Sequence, residues 1–244
     1  MIETIETQDT HTDLSFLLES TYPLLKYLRE RAPGTHKHSQ SVASMVEAVS
    51  VSIGLEVTVM KICALYHDVG KTCNPVFFTE NQIEEDNPHD EIEPWMSYQL
   101  ISRHVPDSVN MLINNPDFPR KIIEIISQHH GNSIIKSFFD KAGKTASSES
   151  YRYQCSKPTS IESAVLMISD HVEATSKSRF QAGKLNTIDI IDSTITNLLD
   201  DGQLDGVVMK LGDLKKIKLA IAKDLEGSYH KRVQYPSDTR EEND

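Results

Sequence analysis

The chain of 244 residues is long enough to bury a substantial core in one or two domains, and 38% hydrophobic with 25% charged residues is the balance of an ordinary soluble protein. Its formal net charge of −11 argues against broad binding to nucleic-acid polymers, which needs clustered Lys and Arg, but not against a small anion met through bound divalent cations. No run approaches the roughly 18 consecutive apolar residues of a membrane helix, and residues 1–13 are too polar and acidic for a signal or transit peptide; the expectation is a soluble, cytoplasmic chain.

In chain order, Leu14, Leu17, Leu18, Leu24, Leu25 and Leu28 form a first helical stretch, interrupted near Pro23 and ended by Ala32-Pro33-Gly34. A second helix carries Val42, Met45, Val46, Val49 and Ile53 on one face, and His38, four residues before Val42, points to that face. The third, with Val59, Ile62, Cys63 and Tyr66, delivers His67-Asp68 at its C-terminal end, where Gly70 marks a stop. Residues 74–94 hold three prolines and read as a long ordered loop or lid. Pro94 suits the first turn of a helix running to about Val105, with Pro106 ending it.

A further helix has Ile122, Ile123, Ile125 and Ile126, followed by His129-His130-Gly131. Residues 142–156 are rich in Ser, Gly and Lys and read as the least ordered internal segment. A helix over about 161–178 brings Asp170, residues 198–204 form a turn region, and a last helix with Leu214, Ile217, Ile221 and Leu225 is capped by Asp213. Alternating apolar and polar runs are few and short, so the fold class is all-α. The three cysteines, Cys63, Cys73 and Cys155, form no C-x-x-C pair and no disulfide framework, and Cys63 belongs to the core.

Five of the ten histidines (His38, His67, His104, His129, His130) fall at helix ends or on otherwise apolar faces, together with Asp68 and Asp170. One such histidine is usually a satisfied core residue. Seven groups on five helices are another matter, because burying imidazoles and carboxylates without compensation is costly and coordination removes the cost. Nitrogen and oxygen donors without thiolate suit Fe, Mn, Zn or a similar first-row ion. Seven donors exceed the four of a structural zinc site, so the pattern fits two ions bridged by one carboxylate, with Asp68 the natural bridge. Two such ions hold a hydroxide that attacks phosphorus in line, and Lys71, one turn beyond His67, is placed to meet a phosphate.

His38, then His67-Asp68-Val69-Gly70-Lys71, then Asp170 resemble the H…HD…D signature of the HD superfamily. A narrower set follows in order: Gly34-Thr35-His36-Lys37-His38-Ser39, Phe77-Phe78-x-Glu80-Asn81-Gln82, Asn87-Pro88-His89-Asp90 and Gln128-His129-His130-Gly131. Tyr151-Arg152-Tyr153 with Lys157-Pro158, Asp201-Gly202-Gln203-Leu204 and Tyr229-His230-Lys231-Arg232-Val233-x-Tyr235-Pro236 continue it. Across residues 15–236 this set resembles the cytoplasmic HD domain of the seven-transmembrane HD receptors, the membrane-bound cyclic-di-AMP phosphodiesterases of bacteria.

The resemblance implies an HD helical bundle with an additional C-terminal helical segment. On that reading residues 1–33 are an N-terminal helical segment, 34–180 the phosphohydrolase core, 181–236 a helical extension packed on it, and 237–244 a disordered tail. It further implies one iron or manganese ion on His38, His67, Asp68 and Asp170, and a second on Asp68, His104, His129 and His130. Asp68 and Lys71 would be catalytic, and Lys71, Asn87, His89 and Arg152 would bind substrate. The implied reaction linearises cyclic di-AMP to pApA, a second-messenger function. The family's membrane helices have no counterpart here, which leaves an excised domain or a free-standing relative.

Two other readings stay open. One is a related HD phosphohydrolase acting on cyclic di-GMP or another nucleotide, although Gly131-Asn132-Ser133-Ile134 stands where the cyclic-di-GMP branch carries its G-Y-P motif. The other is a non-catalytic nucleotide-binding regulatory module with a structural metal pair.

Overall fold

A computed structural model describes residues 13–82, 87–143, 146–181 and 186–233. The expected tail, residues 237–244, lies outside them. Among the described residues there are helices and turns and no strand beyond one isolated antiparallel bridge, Ile134 with Arg152. The all-α expectation is met.

Prolines open helices here as often as they close them. After a 3-10 turn at Ser15–Leu18, α1 (Pro23–Arg31) and α2 (Pro33–Ile53) each start on a proline. That position has an N–H that no helical carbonyl would accept anyway, and its φ is already helical. Pro33 therefore begins the second helix as well as ending the first. α3 (Val57–Tyr66) follows, its N-terminal amide at Thr58 donating to the Glu56 carboxylate. The segment up to α4 (Pro94–Ser102) is a chain of short 3-10 turns at Val69–Cys73, Pro75–Phe77, Thr79–Asn81 and Pro88–Asp90.

Pro106 does not end a helix. It lies in the first turn of α5 (His104–Ile113), where its missing N–H again costs nothing, and His104 opens that helix instead of closing the one before. Next come α6 (Arg120–Ser127) and the short α7 (Lys136–Ala142), which the sequence reading did not anticipate. α8 (Ile161–Gln181) is started by Ser160, whose Oγ accepts from the Ser163 N–H at 3.1 Å. α9 (Thr187–Asp200), within the stretch expected as a helical extension but not expected as a separate helix, precedes α10 (Leu211–Val233). Asp213 sits inside the first turn of α10 rather than before it; its amide donates to Lys210 O.

α8 is the axis. Ala164 through Ile168 are all fully buried, a run apolar on every side that only a central helix tolerates. α2 packs against α8 and also against α1, α3 and α10, while α9 joins α8 to α10. One hydrophobic cluster extends without interruption from Leu17 to Leu225, with Cys63 inside it. A satellite cluster of Tyr98, Phe138 and Tyr151 sits under the α4–α7 side. The stretch expected to be least ordered therefore contributes packed aromatics: Tyr151 and Tyr153 are buried. No helix among the described residues is long and apolar enough to cross a membrane.

Two glycines set how closely these pieces meet. A side chain on Gly70 would overlap His104 O and Ser108 N, so the turn after α3 nests directly on the start of α5. Gly70 is there for close approach, not to close a helix with a left-handed residue. A side chain on Gly34 would overlap Glu80 O, which lets the Thr79–Asn81 turn seat on the beginning of α2.

Candidate metal centre

Five helix segments converge on one point. α2 brings His38, the end of α3 brings His67 and Asp68, α5 begins with His104, the turn after α6 brings His129 and His130, and α8 brings Asp170. His38, His67, Asp68, His104, His129 and Asp170 are all buried. The structure thus brings together every residue of the expected cage.

Asp68 stands at the centre with its two oxygens facing opposite ways. Oδ2 lies 3.3 Å from His67 Nε2 and 3.6 Å from His38 Nε2, while Oδ1 lies 3.2 Å from His104 Nε2 and 3.7 Å from His129 Nε2. Asp170 is divided in the same manner, Oδ1 at 2.9 Å from His38 Nε2 and 3.6 Å from His67 Nε2, and Oδ2 at 3.7 Å from His130 Nδ1.

The backbone fixes which nitrogen each ring presents. Nδ1 of His67, His104 and His129 lies 2.7, 2.6 and 2.7 Å from the carbonyl three residues earlier, Ala64, Ile101 and Ile126 respectively. A carbonyl only accepts, so Nδ1 carries the proton and, in the neutral ring, Nε2 offers a bare lone pair to the cage. Two such nitrogens, His104 Nε2 and His129 Nε2, face each other at 3.4 Å. His67 Nε2, Asp68 Oδ1 and His130 Nδ1 are buried with no hydrogen-bond partner. Lone pairs gathered this densely are unfavourable unless cations sit among them, whether protons on His38 and His67 or metal ions in their place. The donor set therefore fits divalent metal, in groupings that include Asp68 with His104, His129 and His130, and His38 with His67 and Asp68.

The electrostatics follow the same division. Burial favours neutral His38, but Asp170 and Glu173 outweigh it and push its pKa up to about 9. His67 is raised to about 10, the pull of Asp68 and Asp170 again overcoming burial. His130 is held well below the usual imidazole value by burial and then by the neighbouring His129. Burial would raise Asp68, but His67 and Lys71 hold its carboxyl far below the ordinary range.

The cage forms the floor of a cleft of about 500 Å³ whose walls include Lys71, Phe78, Glu80, Ile101, Tyr153 and Lys177. Lys71 Nζ is 2.8 Å from Asp68 Oδ2 and 2.9 Å from Glu80 Oε1, and lies over the Phe78 ring. Tyr153 stacks on His130 with ring centroids 4.4 Å apart.

Three expected substrate contacts are not on the cleft wall. Asn87 Oδ1 accepts from the His89 N–H, and the His89 ring is buried against Phe77 and Phe138 with Nε2 2.8 Å from Phe77 O. The pair fastens the loop that carries Phe78 and Glu80 and works from behind it. Arg152 turns away, giving two bonds to the Asp201 carboxylate at 2.7 and 3.0 Å and others to Asn132 O and Glu149. A bidentate carboxylate satisfies the guanidinium, which leaves little for a phosphate.

Glu173, Glu80 and Tyr153 carry no role in the expectations from sequence, although Glu80 and Tyr153 stand in the matched motifs. Glu173 Oε2 is 2.6 Å from His38 Nδ1. Its signal was available, since it lies three residues after Asp170 and so shares its helical face.

Comparison with known proteins agrees with the fold. The HD-domain family model matches residues 35–175. The chain is similar to the cyclic-di-AMP phosphodiesterase PgpH of Listeria monocytogenes, 37% identical over 241 residues that make up 98% of this chain and 33% of that protein. PgpH of Bacillus subtilis is 35% identical over 227 residues, 92% of this chain and 32% of that protein. The chain therefore spans about a third of the length of the curated relatives it matches. The crystal structure of the L. monocytogenes PgpH HD domain superposes with a TM-score of 0.80 at 36% identity, covering 86% of this chain and 100% of that one. The same domain in complex with cyclic-di-AMP gives 0.80 at 35% identity, with the same coverage.

Proposed function

The chain belongs to the HD-domain family, and on that premise we propose that it is a metal-dependent phosphodiesterase that opens cyclic di-AMP to pApA, with residues 34–180 as its core. The observation that carries the reading is the division of Asp68. One oxygen faces His38 and His67, the other His104 and His129, as a carboxylate shared by two cations would require.

His38, His67, Asp68 and Asp170 would hold one ion, and Asp68, His104, His129 and His130 the other; iron and manganese suit these donors. When bound, such a pair lowers the pKa of an attacking water and neutralises charge on the phosphoryl oxygens. The chain's own residues do the rest. The backbone carbonyls at Ala64, Ile101 and Ile126 hold three imidazoles in the ligating tautomer. Of the three N–H donors on Lys71, two are engaged by Asp68 and Glu80, and the third serves a phosphate oxygen of the substrate. Phe78, Ile101 and Tyr153 give the cleft apolar walls for nucleoside parts. The identity of the base is supported by the relatives, whose names state cyclic di-AMP.

The test is product analysis on purified protein with Mn²⁺ or Fe²⁺, offering cyclic di-AMP and cyclic di-GMP side by side. The expected result is pApA formed faster than the guanine product. No hydrolysis of either would refute an enzymatic role, and preference for cyclic di-GMP would refute the adenine assignment.

A further inference from the structure

His38 differs from His67, His104 and His129 in what stands behind it. His67, His104 and His129 lie at helix ends or in a turn, where each ring reaches the carbonyl three residues back. His38 lies inside α2, and its Nδ1 is met instead by a carboxylate from another helix, Glu173 Oε2 at 2.6 Å. Both side chains are nearly closed to solvent, 8% and 11% exposed.

A carboxylate behind an imidazole makes it a stronger donor than a carbonyl does and locks its orientation. The two sides of the cage also differ in charge. The His38 side gathers Asp68 Oδ2, Asp170 Oδ1 and, through His38, Glu173, and the Lys71 ammonium that meets Asp68 Oδ2 is itself paired with Glu80. The other side has Asp68 Oδ1, the rings of His104 and His129 backed by carbonyls, and His130, whose Nδ1 lies 3.7 Å from Asp170 Oδ2; it has no counterpart of Glu173. At these separations in a buried site, an additional negative charge weighs heavily on a divalent cation.

We infer that Glu173 is a positioning residue whose negative charge, acting through His38, makes the His38 side the tighter of two unequal metal sites, so that this side fills first. The inference rests on the two-ion reading above. Glu173 does not touch the ion or the reacting phosphate; it sets the strength and direction of the imidazole that does.

The test is calorimetric titration of metal-free protein with Mn²⁺, checked by elemental analysis after dialysis. Wild type should bind in two steps of different affinity. His104→Ala should lose the weaker step and keep the tight one. Glu173→Gln retains an oxygen that accepts from His38 Nδ1–H but removes the charge. It should weaken the tight step about 10- to 100-fold while the weaker step remains, and that surviving step shows that the variant is folded. Glu173→Ala should weaken the tight step further. Two ions bound by Glu173→Gln with wild-type affinities would overturn this inference and leave the two-ion reading standing. A wild type that binds fewer than two ions would overturn the two-ion reading itself.

Discussion

Replacing Lys71 with Met keeps the reach of the side chain and removes its charge. Lys71 is 13% exposed and bridges Asp68 and Glu80, which are themselves 2% and 15% exposed. Removing one partner of a buried ion pair leaves an uncompensated charge and costs about 3–5 kcal/mol. Bound metal would shield Asp68, so the state to measure is the metal-free protein. Glu80 sets the pH dependence. Burial pulls its carboxyl upward, and Lys71 outweighs that and holds it below the usual range. A depressed carboxyl contributes stability that is complete above its unfolded value of about 4.3 and is lost as pH falls through the folded value.

Without Lys71, burial and the charge of Asp68 are opposed only by the remaining hydrogen bonds to Glu80, such as that from Thr35 Oγ1, and Glu80 takes up a proton more readily. The deficit of Lys71→Met should therefore be largest near about pH 7.5 and shrink toward about pH 4.5. Urea unfolding of chelator-treated protein at both values measures it. Adding Glu80→Gln should recover about 0.5–3 kcal/mol, since the stranded carboxylate is gone. A loss below about 1 kcal/mol near neutral pH, as an exposed pair would give, or one with no pH dependence, would refute the reasoning.

Three further outcomes are expected. His38 and His67, raised to about 9 and 10, carry protons near neutrality in the metal-free protein. Metal loading must then release protons, and affinity should rise with pH until those values are passed; calorimetry in buffers of different ionisation heat detects this, and buffer-independent heats would contradict it. Arg152→Met should lower the melting temperature by about 2–4 °C, for about 1 kcal/mol lost from a partly exposed pair with Asp201, with KM for the dinucleotide unchanged. A KM raised tenfold at unchanged stability would return Arg152 to the cleft. Gly70→Ala should destabilise by about 3 kcal/mol, because its methyl group meets backbone at His104 and Ser108; thermal unfolding near that of wild type would show that the two segments separate easily.

The cage was legible because its residues obey helical spacing. His38 shares a face with Val42, and Asp170 follows a fully apolar run on α8 that had to lie at the centre. What escaped were features set by tertiary contact. Pro106 reads as a helix stop, and only the packing of α5 on the turn after α3 shows it to be a helix start. The Ser- and Gly-rich stretch looked loose, yet Tyr151 and Tyr153 anchor it, and two aromatics two residues apart were the signal for that. Arg152 reads as a substrate contact on the resemblance alone, and its carboxylate partner Asp201, 49 residues away, is set by tertiary packing. Glu173 shares a helical face with Asp170, but only the packing of α2 on α8 shows that it meets His38.

The central claim is a carboxylate shared by two ions, and metal content per chain tests it most directly. After loading with Mn²⁺ or Fe²⁺, elemental analysis should give two ions per wild-type chain. Asp68→Ala should lose both, and turnover with them. A wild type that holds no metal, or an Asp68→Ala protein that keeps two ions and hydrolyses the dinucleotide, would contradict the account.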